Sequence, residues 1–506
     1  MAELDVMLFP ATDWETTSTR ANVAWILEDW ASVVPSGDDS LIVRHQQDAL
    51  MLRWVLRGLD AEAYQVLKTL GERRSVGSVV RAAETAGTGP GERLVRELNR
   101  LLSGRILRLS VGSPGSDARL TVRPASRTAR MSLPLRMPRR LVRLSRYVTV
   151  GRASDALEVR SPIRGFVLQS HGLPIGNLLD KTAHRACDPE ELVDGLRSVS
   201  REDAVSLLAV MTATGVLGEV DDRGLLAEDQ DEILIQRQPA DVAFHHASRL
   251  GLHVGPSGAT FRFAGSLPPT PALRDGTAQA QELVKLDGPG SWLEAGEVSF
   301  TEVVARRRSV RDHGSEPLTA RQLGEFLFRV ARVGRVIPVE DGNPRSYECS
   351  ERPYPSGGGA YEIELYLVTS RCGGLRRGLY RYRPLEHALE PVAASAAQCN
   401  MLLENARMAT GAKESPQVLI LMGARFARLS WKYENMAYAT TLKNVGVLYE
   451  SMYLTAAAMG LACCAVGNSD SGLFAQATGL RVEEESSVGE LTLGSLPDRD
   501  REGGEG

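Results

Sequence analysis

Three short segments in the C-terminal part of this 506-residue chain carry side chains suited to gripping an anion, approaching a flat ligand and moving a proton. The first is RRRSVRDHG, from Arg306 to Gly314. Clustered guanidinium groups beside a serine hydroxyl provide charged forks and a short neutral donor, the set a dianionic phosphate needs. Taken alone, such a run is more often a basic surface or a trimming site. The second is RPYPSGGGAYEIELY, from Arg352 to Tyr366, where prolines fix an extended approach and three glycines let a ligand or a second backbone come close. Taken alone it is a turn before a strand. The third is WKYENMAYATTLKNVG, from Trp431 to Gly446. Desolvation and a neighbouring hydroxyl can bring a lysine toward neutrality, so Lys432 and Tyr433 can act as a proton-transfer pair; the plainer alternative is a surface lysine next to a packed tyrosine.

The elements that must position these segments begin near Ser299. Helices are expected in SFTEVVARRR and TARQLGEFLFRVARV, then a strand in YEIELYLV and a hairpin in GLYRYRP and HALEPV. A helix over Ala394 to Thr410, a buried strand QVLILMG and a long apolar helix from Leu442 to Met459 follow. Strands grouped between helices, without strict alternation, indicate an α+β domain. The chain has no G-x-x-x-x-G-K-[ST], no H-E-x-x-H, no G-x-S-x-G and no G-x-G-x-x-G after a strand, which removes the main support for NTPase, zinc-protease and serine-hydrolase readings.

Earlier residues read differently. LIVRH and ALMLRWVL suggest strands, followed by helices over Asp60 to Leu70, Ser75 to Ala86 and Glu92 to Leu102 and a closing strand RILRLS. The order repeats in LEVRS, GFVLQSH, IGNLLD, DPEELVDGLRS, REDAVSLLAVMTATG and VLGEVD. Two tandem winged helix-turn-helix units are expected, over 1–145 and 146–225, then a helical connector 226–298, the α+β domain 299–497 and a disordered charged tail 498–506. Eight arginines and no acid lie between Arg123 and Arg146, either a solvated connector or a docking surface for an acidic partner. Neither presumptive recognition helix is basic, which argues against nucleic acid.

Composition sets the outer bounds. Apolar residues are 43% and charged residues 24%, which excludes a disordered or fibrous chain, and a net charge of −4 exerts no general pull toward nucleic acid or membrane. Six cysteines without a C-x-x-C pair suit reduced thiols and no structural metal. The acidic N-terminus and the absence of a long apolar run point to a cytoplasmic protein.

Over about residues 299–496 the sequence resembles the azoline dehydrogenases of the nitroreductase superfamily, the SagB or cyanobactin-oxidase type. RRRSVRDH, RPYPSGGGAYEIELYLV, GLYRYRPLEHALE, the KY pair, TLKNVGVLYESMYLTAAAMGLACCAVG and ESSVGELTLGSLP occur in the order of that family. The N-terminal units resemble the peptide-clamp modules fused to its larger members.

The resemblance implies an FMN enzyme that oxidises thiazoline or oxazoline rings of a ribosomally made peptide to thiazoles or oxazoles, as in thiopeptide pathways, with oxygen as reoxidant. It places Arg307, Ser309 and Arg311 on the FMN phosphate and ribityl chain and Arg308 near the ring. Pro355, Ser356, Gly357 and Gly358 lie along the isoalloxazine from the other subunit of a homodimer, and Asn444 stands in the cofactor site where histidine would also fit. Lys432 and Tyr433 match the catalytic pair. The implied partners are an azoline-containing precursor peptide and a cyclodehydratase.

Two departures and two alternatives accompany this reading. SSVGELTLGSL lacks the basic residue that small-molecule nitroreductases place in a late strand, so either Arg481 or another group substitutes or the phosphate grip is weaker. The alternatives are a broad NAD(P)H-dependent flavin reductase of nitro compounds or quinones, and a noncatalytic scaffold for a cyclodehydratase.

Overall fold

The computed structural model describes residues 135–253, 255–276, 283–289 and 298–497, with shorter stretches between 23 and 131. The chain divides into two units, 1–255 and 256–506.

Among the described residues of the first unit, seven strands form one antiparallel sheet in the order Arg74–Ser75, Val23–Leu27, Leu107–Val111, Arg119–Pro124, Phe166–His171, Ala156–Ser161, Thr149–Ala153. Strands assigned by sequence to two separate units therefore share a single sheet, joined where Arg119–Pro124 pairs with Phe166–His171. One apolar core spans both halves, with Leu107, Leu109 and Val122 packed together with Phe166, Leu207 and Met211. The second set of helices forms as read: Ile175–His184, Pro189–Gly195 and Arg201–Ala213. Asp188 accepts from the backbone N–H groups of Glu190 and Glu191, and Ser200 from that of Asp203, so both later helices start at side-chain caps. Of the first set, Ala61–Lys68 is helical, while most of 75–86 and 92–102, and the tail 498–506, lie outside the described residues. The arginine-rich segment is partly strand: Val142–Leu144 pairs with Leu217–Glu219, and Glu219 Oε1 accepts from the backbone N–H groups of Arg139 and Arg140.

The second unit is built on a seven-stranded antiparallel sheet, again counting described residues, in the order Val284–Lys285, Ala388–Val392, Gly378–Arg383, Ile363–Thr369, Val418–Arg425, Glu485–Ser495, Leu461–Val466. The two central strands Ile363–Thr369 and Val418–Arg425 are buried at every position, because helices cover both faces. Alternation sorts the side chains. Ile363, Leu365 and Leu367 meet the helices Ala320–Ala331 and Ala437–Ala458 on one side. Tyr366 and Val368 meet Ala396–Thr410 and Ser471–Thr478 on the other. Capping boxes at Thr319/Gln322 and Ser395/Gln398 start two of these helices. Cys463 and Cys464 are buried in the strand Leu461–Val466 as free thiols, and burial pushes the Cys463 thiol up to about 12. Among the described residues no helix is long and apolar enough to cross a membrane.

The stretch 226–298, read as a helical connector, is divided between the units. Its helix Pro239–Ser248 belongs to the first, while residues 256–276 belong to the second.

One buried amide fastens the basic segment to the sheet. Gln417 is fully buried, and its Oε1 accepts from the backbone N–H of Leu318 (2.8 Å) and of Ser495 (3.1 Å), while its Nε2 donates to Gly314 O (2.9 Å). Replacing it by leucine strands these groups away from water. Gln417→Leu is therefore expected to lower the unfolding free energy by about 3 kcal/mol, measured by urea denaturation; an unchanged midpoint contradicts the account.

Candidate functional site

The glycine run turns sharply before the central strand Ile363–Thr369. Gly357–Gly359 form a short 3-10 turn in which Gly358 and Gly359 hold φ of +66° and +67°, a region closed to most side chains. The turn is anchored by Asn444, whose Oδ1 accepts from Gly357 N (3.1 Å) and whose Nδ2 donates to Ser356 Oγ (3.1 Å) and to Glu362 Oε1 (2.9 Å). Burial raises the Glu362 pKa, opposed by these hydrogen bonds. Thr440 lies one helical turn before Asn444 and presses on the same loop: a Cβ added at Gly357 would collide with Thr440 Cγ2.

Lys432 and Tyr433 leave the end of the short helix Phe426–Ser430 and face this loop. A Cβ added at Gly358 would lie 2.6 Å from Lys432 Nζ and 2.5 Å from Tyr433 Oη. Lys432 Nζ donates to the Tyr347 hydroxyl at 2.6 Å, and that hydroxyl donates to the Gly358 carbonyl. The rings of Phe261, Tyr347 and Tyr433 lie 4.9–5.6 Å from the amine. Burial among them lowers the Lys432 pKa, with Cys349 pulling the other way, and burial raises those of Tyr347 and Tyr433.

Arg428 fixes the platform beneath. Its buried guanidinium donates to Ala360 O (2.6 and 2.9 Å), Thr270 O (2.6 Å) and Glu348 O (3.0 Å). Burial, then the nearby Arg425, brings its pKa down to about 10. Residues 256–276 form a strap across this platform. Gly258 and Glu434 exchange backbone hydrogen bonds, Phe261 N donates to Lys432 O (3.1 Å), and Trp431 Nε1 donates to Leu267 O (2.8 Å). An open hollow of about 310 Å³, lined by Phe426, Ser430, Ala437, Tyr438 and Thr441, adjoins the lysine turn and the start of the long helix.

The basic segment stands elsewhere. Val310 N donates to Cys463 O (2.8 Å), Gly314 N to Ser495 O (2.9 Å) and Gln417 N to His313 Nδ1 (3.1 Å), so the backbone is stitched to the sheet and Arg307, Arg308, Ser309 and Arg311 face outward. Ser309 Oγ is 2.9 Å from Tyr453 Oη, and the Arg307 guanidinium lies 5.6 Å from that ring. Tyr453 and Asn444 are nine residues apart on one helix, roughly 13 Å along its axis. One copy of the chain thus gathers Ser356, Gly357, Gly358, Lys432, Tyr433 and Asn444, with Pro355 exposed at the head of the loop, and keeps the arginine segment apart. Arg481 is mostly exposed, 3.7 Å from Glu483.

Sequence reading did not single out Tyr347, Cys349, Phe261, Arg428 or Glu362. Each reaches the site only through the fold; the one local signal was the placement of Tyr347 and Cys349 just ahead of the RPYPSGGG segment.

An α+β domain with outward-facing arginines and a glycine cradle beside a desolvated lysine has a donor set that fits an anionic, planar ligand. Residues 304–495 match the Nitroreductase family, and the C-terminal region is a Nitroreductase-family domain. A protein of Methanocaldococcus jannaschii described as a nitroreductase is 28% identical over 171 residues, 34% of this chain and 79% of that protein. The microcin B17-processing protein McbC of Escherichia coli is 32% identical over 117 residues, 22% of this chain; the match spans 42% of the length of that relative. The Escherichia coli microcin synthetase McbBCD complex with truncated pro-MccB17 bound aligns with a TM-score of 0.31 at 20% identity, covering 53% of this chain and 97% of that one.

The two left-handed glycines separate backbone strain from crowding. Gly359→Ala meets only Cys349 Sγ at 3.9 Å, whereas Gly358→Ala meets the amine and the phenol. Both are expected to lose about 1 kcal/mol in thermal unfolding, but only Gly358→Ala should change the rate at which Lys432 is acylated. Equal labelling in both variants contradicts the apposition.

Proposed function

We propose that this chain is an FMN-dependent dehydrogenase that oxidises azoline rings in a ribosomally synthesised peptide, with Lys432 as the base. The observation that carries the reading is the Lys432 amine: half-buried, ringed by aromatics, lowered in pKa and set against Gly358. Aromatising a thiazoline or oxazoline removes a hydride from one ring carbon and a proton from its neighbour. FMN, when bound, supplies the hydride acceptor. The chain must then hold the ring, exclude water and receive the proton. An amine in a desolvated pocket suits the last task, because desolvation lowers its pKa from the ordinary lysine value and favours the neutral form that accepts a proton. The similarity to a microcin-processing protein supports a peptide substrate.

In this reading Arg307, Ser309 and Arg311 hold the FMN phosphate and ribityl chain and Arg308 lies near the ring. Pro355, Ser356, Gly357, Gly358 and Asn444 border the isoalloxazine. The distance between these two sets along the helix Ala437–Ala458 favours a homodimer in which each site takes its glycine loop from the partner. The first unit serves as a peptide clamp with winged-helix character, its exposed Arg139 and Arg140 favouring an acidic leader segment, and a cyclodehydratase supplies the azolines. A colourless protein that cannot be reconstituted with FMN would support the scaffold alternative instead.

Two outcomes follow. Lys432→Ala is expected to keep its flavin and to lower ring oxidation at least about 10²-fold, scored as loss of two hydrogens per ring by mass spectrometry; full activity removes the base assignment. Because the neutral amine is the active form, the rate should rise with pH to a plateau whose midpoint lies below the ordinary lysine value of 10.5. A rate that falls over that range contradicts it.

A further inference from the structure

We propose that Tyr347 is the positioning residue of the reaction, holding the Lys432 amine so that its lone pair faces the substrate. This rests on the reading of Lys432 as the base. The geometry is a directed chain. The Tyr347 hydroxyl has one proton, and that proton is committed to the Gly358 carbonyl. Its oxygen can then only accept, and it accepts from Lys432 Nζ at 2.6 Å. A neutral amine keeps two N–H bonds and one lone pair. With one N–H fixed on Tyr347, the amine cannot swing its lone pair toward the phenol, because no proton is left there to receive it. The lone pair and the second N–H are left for the substrate side, where the glycine turn faces the amine.

The tyrosine is itself locked. Its ring lies 5.7 Å from the Arg428 guanidinium and 6.0 Å from the Trp431 ring, and the backbone carbonyl of Glu348 accepts from Arg428. The strap closes the other side, where the Phe261 ring stands 5.6 Å from the amine and 5.9 Å from the Trp431 ring. The titratable and charged groups facing Lys432 are thus Tyr347 and Cys349 from the segment before the glycine loop and Tyr433 from its own turn; Arg428 lies beneath and Arg345 lies across Phe261. Among them only Tyr347 receives a hydrogen bond from the amine. A tyrosine that accepts from the ammonium favours the charged form, so removing its oxygen should lower the lysine pKa while releasing the amine's orientation.

The test uses the full-length, flavin-loaded protein and a synthetic peptide carrying a single thiazoline. Tyr347→Phe is expected to keep flavin content and thermal midpoint, to lower kcat about 10- to 100-fold with little change in KM, and to move the labelling midpoint of Lys432 downward by about one pH unit. The midpoint is read by competitive acetylation of the Lys432-bearing tryptic peptide. Loss of kcat with an unmoved midpoint means a merely structural role and overturns the proposal, as does an unmoved kcat. Should Tyr347→Phe fail to fold, 3-fluorotyrosine at position 347 keeps the ring's shape, weakens its oxygen as an acceptor and carries the same test. Retained oxidation in Lys432→Ala would instead sink the base reading itself, a result distinct from any given by Tyr347.

Discussion

The second unit depends on one buried cation whose hydrogen bonds, among the described residues, go to backbone carbonyls and not to a carboxylate. Arg428 is satisfied by three backbone carbonyls drawn from the strap, the segment before the glycine loop and the loop's own end. A guanidinium that loses water must recover nearly all of its hydrogen bonds, because an unpaired buried charge costs several kcal/mol. Three pieces of chain far apart in sequence are therefore held to one planar fork. Carbonyl acceptors serve here better than a carboxylate would: they fix geometry without adding a negative charge that would restore the ammonium form of the lysine four residues later.

That lysine shows how the constraint passes into chemistry. Arg428 fixes Ala360, which ends the glycine turn, and Glu348, which adjoins Tyr347, and so holds Gly358 and Tyr347 on the Lys432 amine. The strap adds its own term, since Phe261 adopts φ of +52°, strained for a phenylalanine, and is held there by the bond from its N–H to Lys432 O. A non-glycine residue kept in that region usually marks a place where surrounding contacts over-determine the backbone. Here the result is an aromatic wall against the amine, supplied by a segment that sequence texture assigns to a linker.

How much of this was legible in the sequence follows from how local each signal is. The buried strand Val418–Arg425 announced itself as the apolar run QVLILMG, and the helix Ala396–Thr410 was read to within two residues of its start, because those patterns are written within a few residues. The glycine loop and the KY pair were visible as unusual residue types, and the fold brings them together. Tyr347, by contrast, meets Lys432 across 85 residues, and Arg428 meets Thr270 across 158. Neither has a periodicity or a spacing that reveals it. The N-terminal repeats show the same limit, because strand pairing is non-local. Each half showed its own run of strands and helices, but Leu107–Val111 and Arg119–Pro124 extend the sheet of Phe166–His171, so a repeat of elements did not mean separate sheets.

The separation between the arginine segment and the glycine loop bears on why the two ends of the helix Ala437–Ala458 are built differently. Near its start, Thr440 and Asn444 are buried: Thr440 Oγ1 donates back to Met436 O, while Asn444 spends its amide on the loop and on Glu362. Nearer its end, Tyr453 uses its hydroxyl on Ala465 N and Ser309 and leaves its ring beside Arg307. An anion at the outward-facing arginines would therefore meet a donor set already oriented by tyrosine and strand. A ring bound at the loop would meet a surface from which side chains have been cleared. Asn444 and Tyr453, which mark the two places, lie roughly 13 Å apart along the helix, so a ligand that used both would need its anionic tail and its planar head joined by an extended linker.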